Sequence, residues 1–114
     1  MRARARGMAL AVMLMCVAAL GCKSTTKISD LLDDPARFEN KTVSIAGDVK
    51  EAIGILGYGA YRVDDGTGVL TVIVQGGGAP RTGAKVGVEG EFRSAFTVGT
   101  ESLAVLMEKR RYEP

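Results

Sequence analysis

From Thr42 the chain counts in twos. Val43, Ile45 and Val49 alternate with Thr42, Ser44, Ala46 and Asp48, and Gly47 interrupts the run. That period belongs to a half-buried strand, and a glycine inside it marks a bulge or a sharp bend. The period returns over Ala60–Asp64, with Tyr61 and Val63 on one face and Arg62 on the other. Asp65-Gly66-Thr67-Gly68 is a hairpin signal, and the returning strand Val69–Val74 has Leu70, Val72 and Val74 as its inner set. Gly76 to Gly83 reads as a glycine-rich loop without helical pattern. Lys85–Phe92 alternates again, Arg93 to Ser102 reads as a polar hairpin connection, and Leu103–Met107 is the last strand.

Ahead of the strands the pattern is helical but short. Ser29 suits an N-cap, Asp30 the positive helix end, and Asp34-Pro35 a second start. The expectation is a short helix, a break, and one turn ending near Phe38. Ile28, Leu31, Leu32 and Phe38 are expected to pack on the sheet.

The first residues follow neither period. Arg2, Arg4 and Arg6 precede thirteen uncharged, mostly apolar residues from Met8 to Leu20, closed by Gly21-Cys22. A bilayer needs about 20 apolar residues in a helix, so thirteen fall short, and the layout is that of a secretory signal. A small residue before cysteine resembles a bacterial lipoprotein signal, which implies cleavage between Gly21 and Cys22 and acylation of Cys22. Ala19 and Leu20 depart from the usual order of that motif. The rival Cys16 follows the bulky Met15. By the same resemblance, Lys23 after the cysteine favours an outer-membrane address facing the periplasm. The organisation expected is a signal peptide over 1–21, a lipidated cysteine and tether over 22–27, a barrel over 28–108 and a charged tail over 109–114.

Cleavage changes the charge picture. The chain has 15 basic and 13 acidic residues, and loss of Arg2, Arg4 and Arg6 leaves the acidic ones in slight excess. The basicity of the whole chain is therefore a targeting feature and argues for no nucleic-acid partner. With Cys16 removed and Cys22 acylated, no pair is left for a disulfide.

Five strands with a curving first strand match an OB-fold barrel. The sequence also resembles the small bacterial OB-fold domains related to tRNA-anticodon-binding modules. The matching positions are Val43, Ile45, Gly47 and Val49; Tyr61 and Val63; Asp65, Thr67 and Gly68; and Gly83, Val86, Val88 and Gly90. The fold class expected is all-β, a five-stranded OB-fold-like barrel after a short N-terminal helix. These are core and turn positions, which specify a fold and leave the ligand open.

OB-folds bind on the face of their second and third strands, flanked by the loops after strands 1 and 4. Candidate face residues are Arg62, Thr71, Ile73 and Gln75, with Ile55, Leu56 and Tyr58 in the first loop and Phe96 in the second. Single-stranded nucleic acid calls for a basic groove with several aromatic platforms, and this face has one arginine. Gly54–Gly59 lacks the Lys-Ser/Thr and helix of a phosphate loop, and its apolar tip reads equally as a partner contact or as self-packing. Asp64-Asp65 is too short a segment for an EF-type calcium loop and reads as a hairpin turn. The chain has no histidine, so the commonest general base and zinc ligand is missing. No catalytic residue, metal ligand or cofactor is assigned. The expected function is a membrane-tethered, non-catalytic binding module for an oligosaccharide, peptide or small ion. The alternative is docking onto another envelope protein through residues 54–59.

Overall fold

The computed structural model describes residues 24–114 apart from 56–57, so the signal segment and Cys22 lie outside the described residues. Two helices, α1 (Ile28–Asp33) and α2 (Pro35–Phe38), precede five strands. These are β1 (Thr42–Ile55), β2 (Tyr58–Asp64), β3 (Val69–Val74), β4 (Lys85–Val98) and β5 (Glu101–Tyr112). They close into a barrel in the order β1-β2-β3-β5-β4. All neighbouring pairs are antiparallel except β3 with β5. Closure leaves no long strand edge unpaired around the ring.

The two-residue period points the inner set inward as expected. Ile45, Val49, Tyr61, Val63, Leu70, Val72, Val74, Val88, Phe92 and Leu106 are buried in one cluster. Ile28 and Leu31 join it from α1, and Phe38 packs against it. Leu32, expected in the same contact, is 43% exposed. A six-residue helix turns only one stripe to the sheet, and Ile28 and Leu31 occupy it.

The N-terminus of α1 departs from the expected cap. The helix starts one residue before Ser29, after Lys27, and no side chain of its own caps it. The caps come from the β2–β3 turn. Asp65 Oδ2 accepts the Ile28 N–H at 2.9 Å, and Thr67 Oγ1 accepts the Ser29 N–H at 3.1 Å. Two of the donors that a helix start leaves unpaired are thus satisfied from a distant hairpin.

Gly47 is required for a reason other than a bulge. A Cβ there would fall on the Asp64 carbonyl, where β2 crosses close to β1. The β1–β2 register shift lies further on, between Val49 and Glu51.

Candidate binding face

The strands are longer than their periodicity, and this reshapes the candidate face. Residues 54–59, expected as a loop, belong to the β1–β2 ladder: Gly54 pairs with Gly59 and Ile55 with Tyr58. Only Leu56 and Gly57 stand between, and they lie outside the described residues. Residues 93–102, expected as a connection, likewise form a ladder. Phe96 pairs with Leu103 and Val98 with Glu101, so that Gly99, at φ 63°, and Thr100 make the turn. Phe96 is therefore a strand residue and not a loop residue.

The outer face of β2, β3 and β5 carries a second apolar cluster. Ala60, Ile73 and Val105 are fully buried there, with Ile53, Phe96, Leu103 and Met107 packed around them. Register explains the grouping. Ile53 stands opposite Ala60, Ala60 opposite Ile73 and Ile73 opposite Met107, one row across four strands. Val105 and Leu103 continue along β5, two residues apart on the same face.

The expected outward positions now separate. Ile73 points away from the barrel interior and is nevertheless 0% exposed, because the β4–β5 arm and β1 carry side chains over it. Thr71, expected to be open, is buried as well at 7%. Arg62 is exposed and bonded to Glu51, its cross-strand neighbour, at 2.9 Å. Gln75 is exposed just past the end of β3. The structure brings Ile73 and Phe96 together and leaves Arg62 and Gln75 at the margin.

Val69 was not among the sequence candidates. It is 45% exposed and shares the outward face of β3 with Thr71 and Ile73. Leu32, the other exposed large apolar residue among the described residues, lies over Gly68. The signal was present in the sequence: Val69 is out of phase with Leu70, Val72 and Val74.

Polar contacts elsewhere are engaged in holding the fold. Within the β2–β3 turn, Asp65 Oδ1 accepts the Thr67 N–H at 2.8 Å, the Thr67 hydroxyl at 2.6 Å and the Gly68 N–H at 3.2 Å. Desolvation, the largest single influence on Asp65, pushes its pKa up. The bonds from Thr67, Ile28 and Gly68 together outweigh it and hold the carboxyl below its ordinary value. At one end of the barrel the buried Tyr61 hydroxyl donates to Glu108 at 2.5 Å. Arg111 binds Glu108 at 2.9 Å and the Gly78 carbonyl at 2.6 Å. Burial first, then the Glu108 carboxylate, raises the Tyr61 phenol far above its ordinary value.

A shallow cleft of about 390 Å³ opens beside Gly47, lined by Asp48, Asp64, Asp65, Lys50 and Lys85 among others. Its carboxylates have partners: Asp48 meets Lys85 at 3.3 Å, Asp64 accepts the Gly66 N–H at 2.8 Å, and Asp65 is engaged in its own turn. Among the described residues no group of three or more metal-ligating side chains converges.

No family model matches the sequence, and a comparison with curated proteins returns no match. Solved structures do resemble the fold. An asparaginyl-tRNA synthetase from Pyrococcus horikoshii, complexed with asparaginyl-adenylate, aligns with TM-score 0.65 at 15% identity over 80% of this chain. The aligned part is 22% of that synthetase, so this chain spans about a fifth of it. An OBody bound to hen egg-white lysozyme aligns with TM-score 0.60 at 13% identity, covering 80% of this chain and 95% of that one. A putative aspartyl-tRNA synthetase from Leishmania major Friedlin gives TM-score 0.58 at 21% identity, over 80% and 21% of the two chains. At such identities the likeness is one of fold, and it supports the OB-fold-like barrel.

Proposed function

We propose that the chain is a membrane-tethered, non-catalytic binding module that holds a protein or peptide segment along the outer face of β2, β3 and β5. One observation carries this reading. The face on which OB-folds bind their ligands is here lined by apolar side chains: half-buried Ile53, Phe96, Leu103 and Met107 pack over Ile73 and Val105, and Val69 on the same face of β3 is 45% exposed. The apolar surface that these half-buried side chains and Val69 leave open suits a protein partner, whose side chains bury it.

The other ligand classes find less on this face. Single-stranded nucleic acid needs free cations and stacking platforms, whereas Arg62 is neutralised by Glu51 and Phe96 is packed against the cluster. An oligosaccharide needs an open aromatic surface beside polar groups, and the open end of the face is Val69. The OBody, an OB-fold neighbour, is bound to lysozyme, so a barrel of this architecture accommodates a protein ligand.

The tether belongs to the same reading: Cys22 is acylated and the barrel stays in the envelope. Metabolic lipid labelling tests that part, with label expected in the natural chain and lost in Cys22→Ala. Labelling that persists in Cys22→Ala and vanishes in Cys16→Ala overturns the assignment. For the ligand, a photo-crosslinking residue at position 69 is expected to capture one discrete polypeptide in native membranes. Val69→Lys, at the exposed end of the face, should abolish copurification of that polypeptide with the barrel at little-changed melting temperature. Binding to a glycan array with no polypeptide crosslink reverses the ligand class.

A further inference from the structure

The tether is shorter than its polar composition suggests. The Thr26 N–H donates to the Ser44 carbonyl at 2.7 Å, which fastens the incoming chain to β1 ahead of α1. On the lipid-anchor reading, on which this inference rests, only Lys23, Ser24 and Thr25 separate Cys22 from that fastening. Four Cα–Cα steps reach about 14 Å at full stretch. The surface around Ser44 is therefore held at the headgroup layer.

That surface is cationic. Ser44 stands opposite Glu89, and Glu89 opposite Arg110; Thr42 stands opposite Glu91. Lys109 reaches across to the Thr42 hydroxyl at 2.9 Å, Lys41 precedes Thr42 in the chain, and Lys27 follows Thr26. The two carboxylates on this face already have arginine partners, Glu89 with Arg110 at 3.5 Å and Glu91 with Arg93 at 2.9 Å. Glu39, near Lys41 in the chain, accepts the Ser94 N–H at 2.7 Å. Asp30, in the first turn of α1, offsets part of Lys27. Lys41 and Lys109 are exposed, and among the described residues no carboxylate pairs with either. The mature chain is close to neutral, so the excess of cations is local to the tether exit.

We propose that this face, bearing Lys109 with Lys27 and Lys41 beside it, lies on an anionic phospholipid surface and fixes the orientation of the barrel. Each cation near such a surface strengthens association about fivefold, falling off within a Debye length. The short tether confines these side chains to that distance. The far end of β1, with Ile53, then turns toward the aqueous side.

The test uses the acylated chain in vesicles, with a fluorophore on Ser44→Cys or, at the far turn of the β4–β5 arm, on Thr100→Cys, and a quencher confined to the headgroups. In vesicles containing phosphatidylglycerol, quenching is expected at position 44 and not at 100. It should diminish in phosphatidylcholine alone and at raised salt. The pair Lys41→Glu and Lys109→Glu should remove the difference between the two lipids, and the milder Lys41→Gln with Lys109→Gln should reduce it. Equal quenching at 44 and 100, or a lipid dependence that survives charge reversal, overturns the orientation. The mass of the mature chain keeps the two readings apart. Without acyl groups on Cys22 the anchor assignment fails, and the orientation that depends on it fails too. With them present and the quenching pattern absent, the orientation alone fails.

Discussion

The carboxylate of Asp65 accepts the backbone N–H of Ile28 at 2.9 Å from a position 37 residues further along the chain. Its other oxygen gathers Thr67 and Gly68 of its own turn. One side chain thus shapes the β2–β3 hairpin and seats α1 on the barrel. The packing between them is tight: a Cβ at Gly68 would stand 3.1 Å from Ile28 Cγ2, so that Ile28 would have to give way to it.

Asp65→Ala should therefore lose a helix cap and a turn organiser together, about 1–2 kcal/mol for the cap alone. Denaturant melts check this. Because the folded carboxyl titrates below its ordinary value, its contribution is complete above the usual aspartate range and is lost as pH falls through the folded pKa. The melting temperature of the natural chain should drop on acidification from neutral pH to below 4, and Asp65→Asn should blunt that drop.

Tyr61 predicts the opposite limb. Its phenol is held protonated by burial and by Glu108, so its contribution is present below about pH 10, the unfolded phenol's value, and fades above it. Tyr61→Phe should flatten the alkaline side of the stability profile. It should also cost about 1–3 kcal/mol at neutral pH, because Glu108 loses a buried donor. Thermal melts from pH 7 to 11 on both chains measure each effect.

Val88 is fully buried between Ile45 of β1 and Arg111 of β5. Val88→Asp places an unpaired carboxylate in the core, at a cost of several kcal/mol, comparable to the whole stability of a small domain. The expected result is loss of the cooperative thermal transition. An unchanged melt would put β4 in a different register.

Gly87 faces Tyr112 across the β4–β5 ladder, and a Cβ there would fall on the tyrosine ring. Gly87→Ala should cost about 1–3 kcal/mol through overpacking. Tyr112→Ala in the same chain should return part of that loss. A double-mutant cycle with a coupling energy near zero would show that the ring does not rest on the glycine.

The inner half of the barrel was legible because burial on one face imposes the two-residue period: Leu70, Val72 and Val74 alternate with Val69, Thr71 and Ile73. The arms were not. Arg93, Ala95 and Thr97 on β4 and Glu101 and Ser102 on β5 are exposed, so the periodicity fades while backbone pairing continues. Phe96 and Leu103 are the apolar residues that give the arm away, but Ala60 and Ile73, in the cluster they pack against, lie on β2 and β3 and no local window contains them. Lys109 to Tyr112 reads as a solvated tail for a related reason. The register shift between Glu89 and Gly90 brings Arg111 opposite the buried Val88, and the arginine covers the Tyr61 ring. No count along the sequence reports that shift. The candidate face was legible as a location; that a second cluster would cover Ile73 was not, because it depends on how far the hairpin arms bend back.

The bond from Thr26 to Ser44 and the pairing of Tyr112 with Gly87 meet across β4, where Glu89, opposite Ser44, sits two residues from Gly87. Entry into the barrel and exit from its last strand are thus stitched into one seam. A tag or further segment spliced after Tyr112 would begin beside the incoming chain at Thr26 and crowd whatever precedes it. Cargo inserted at the Gly99-Thr100 turn would instead extend from the β4–β5 arm, clear of that seam.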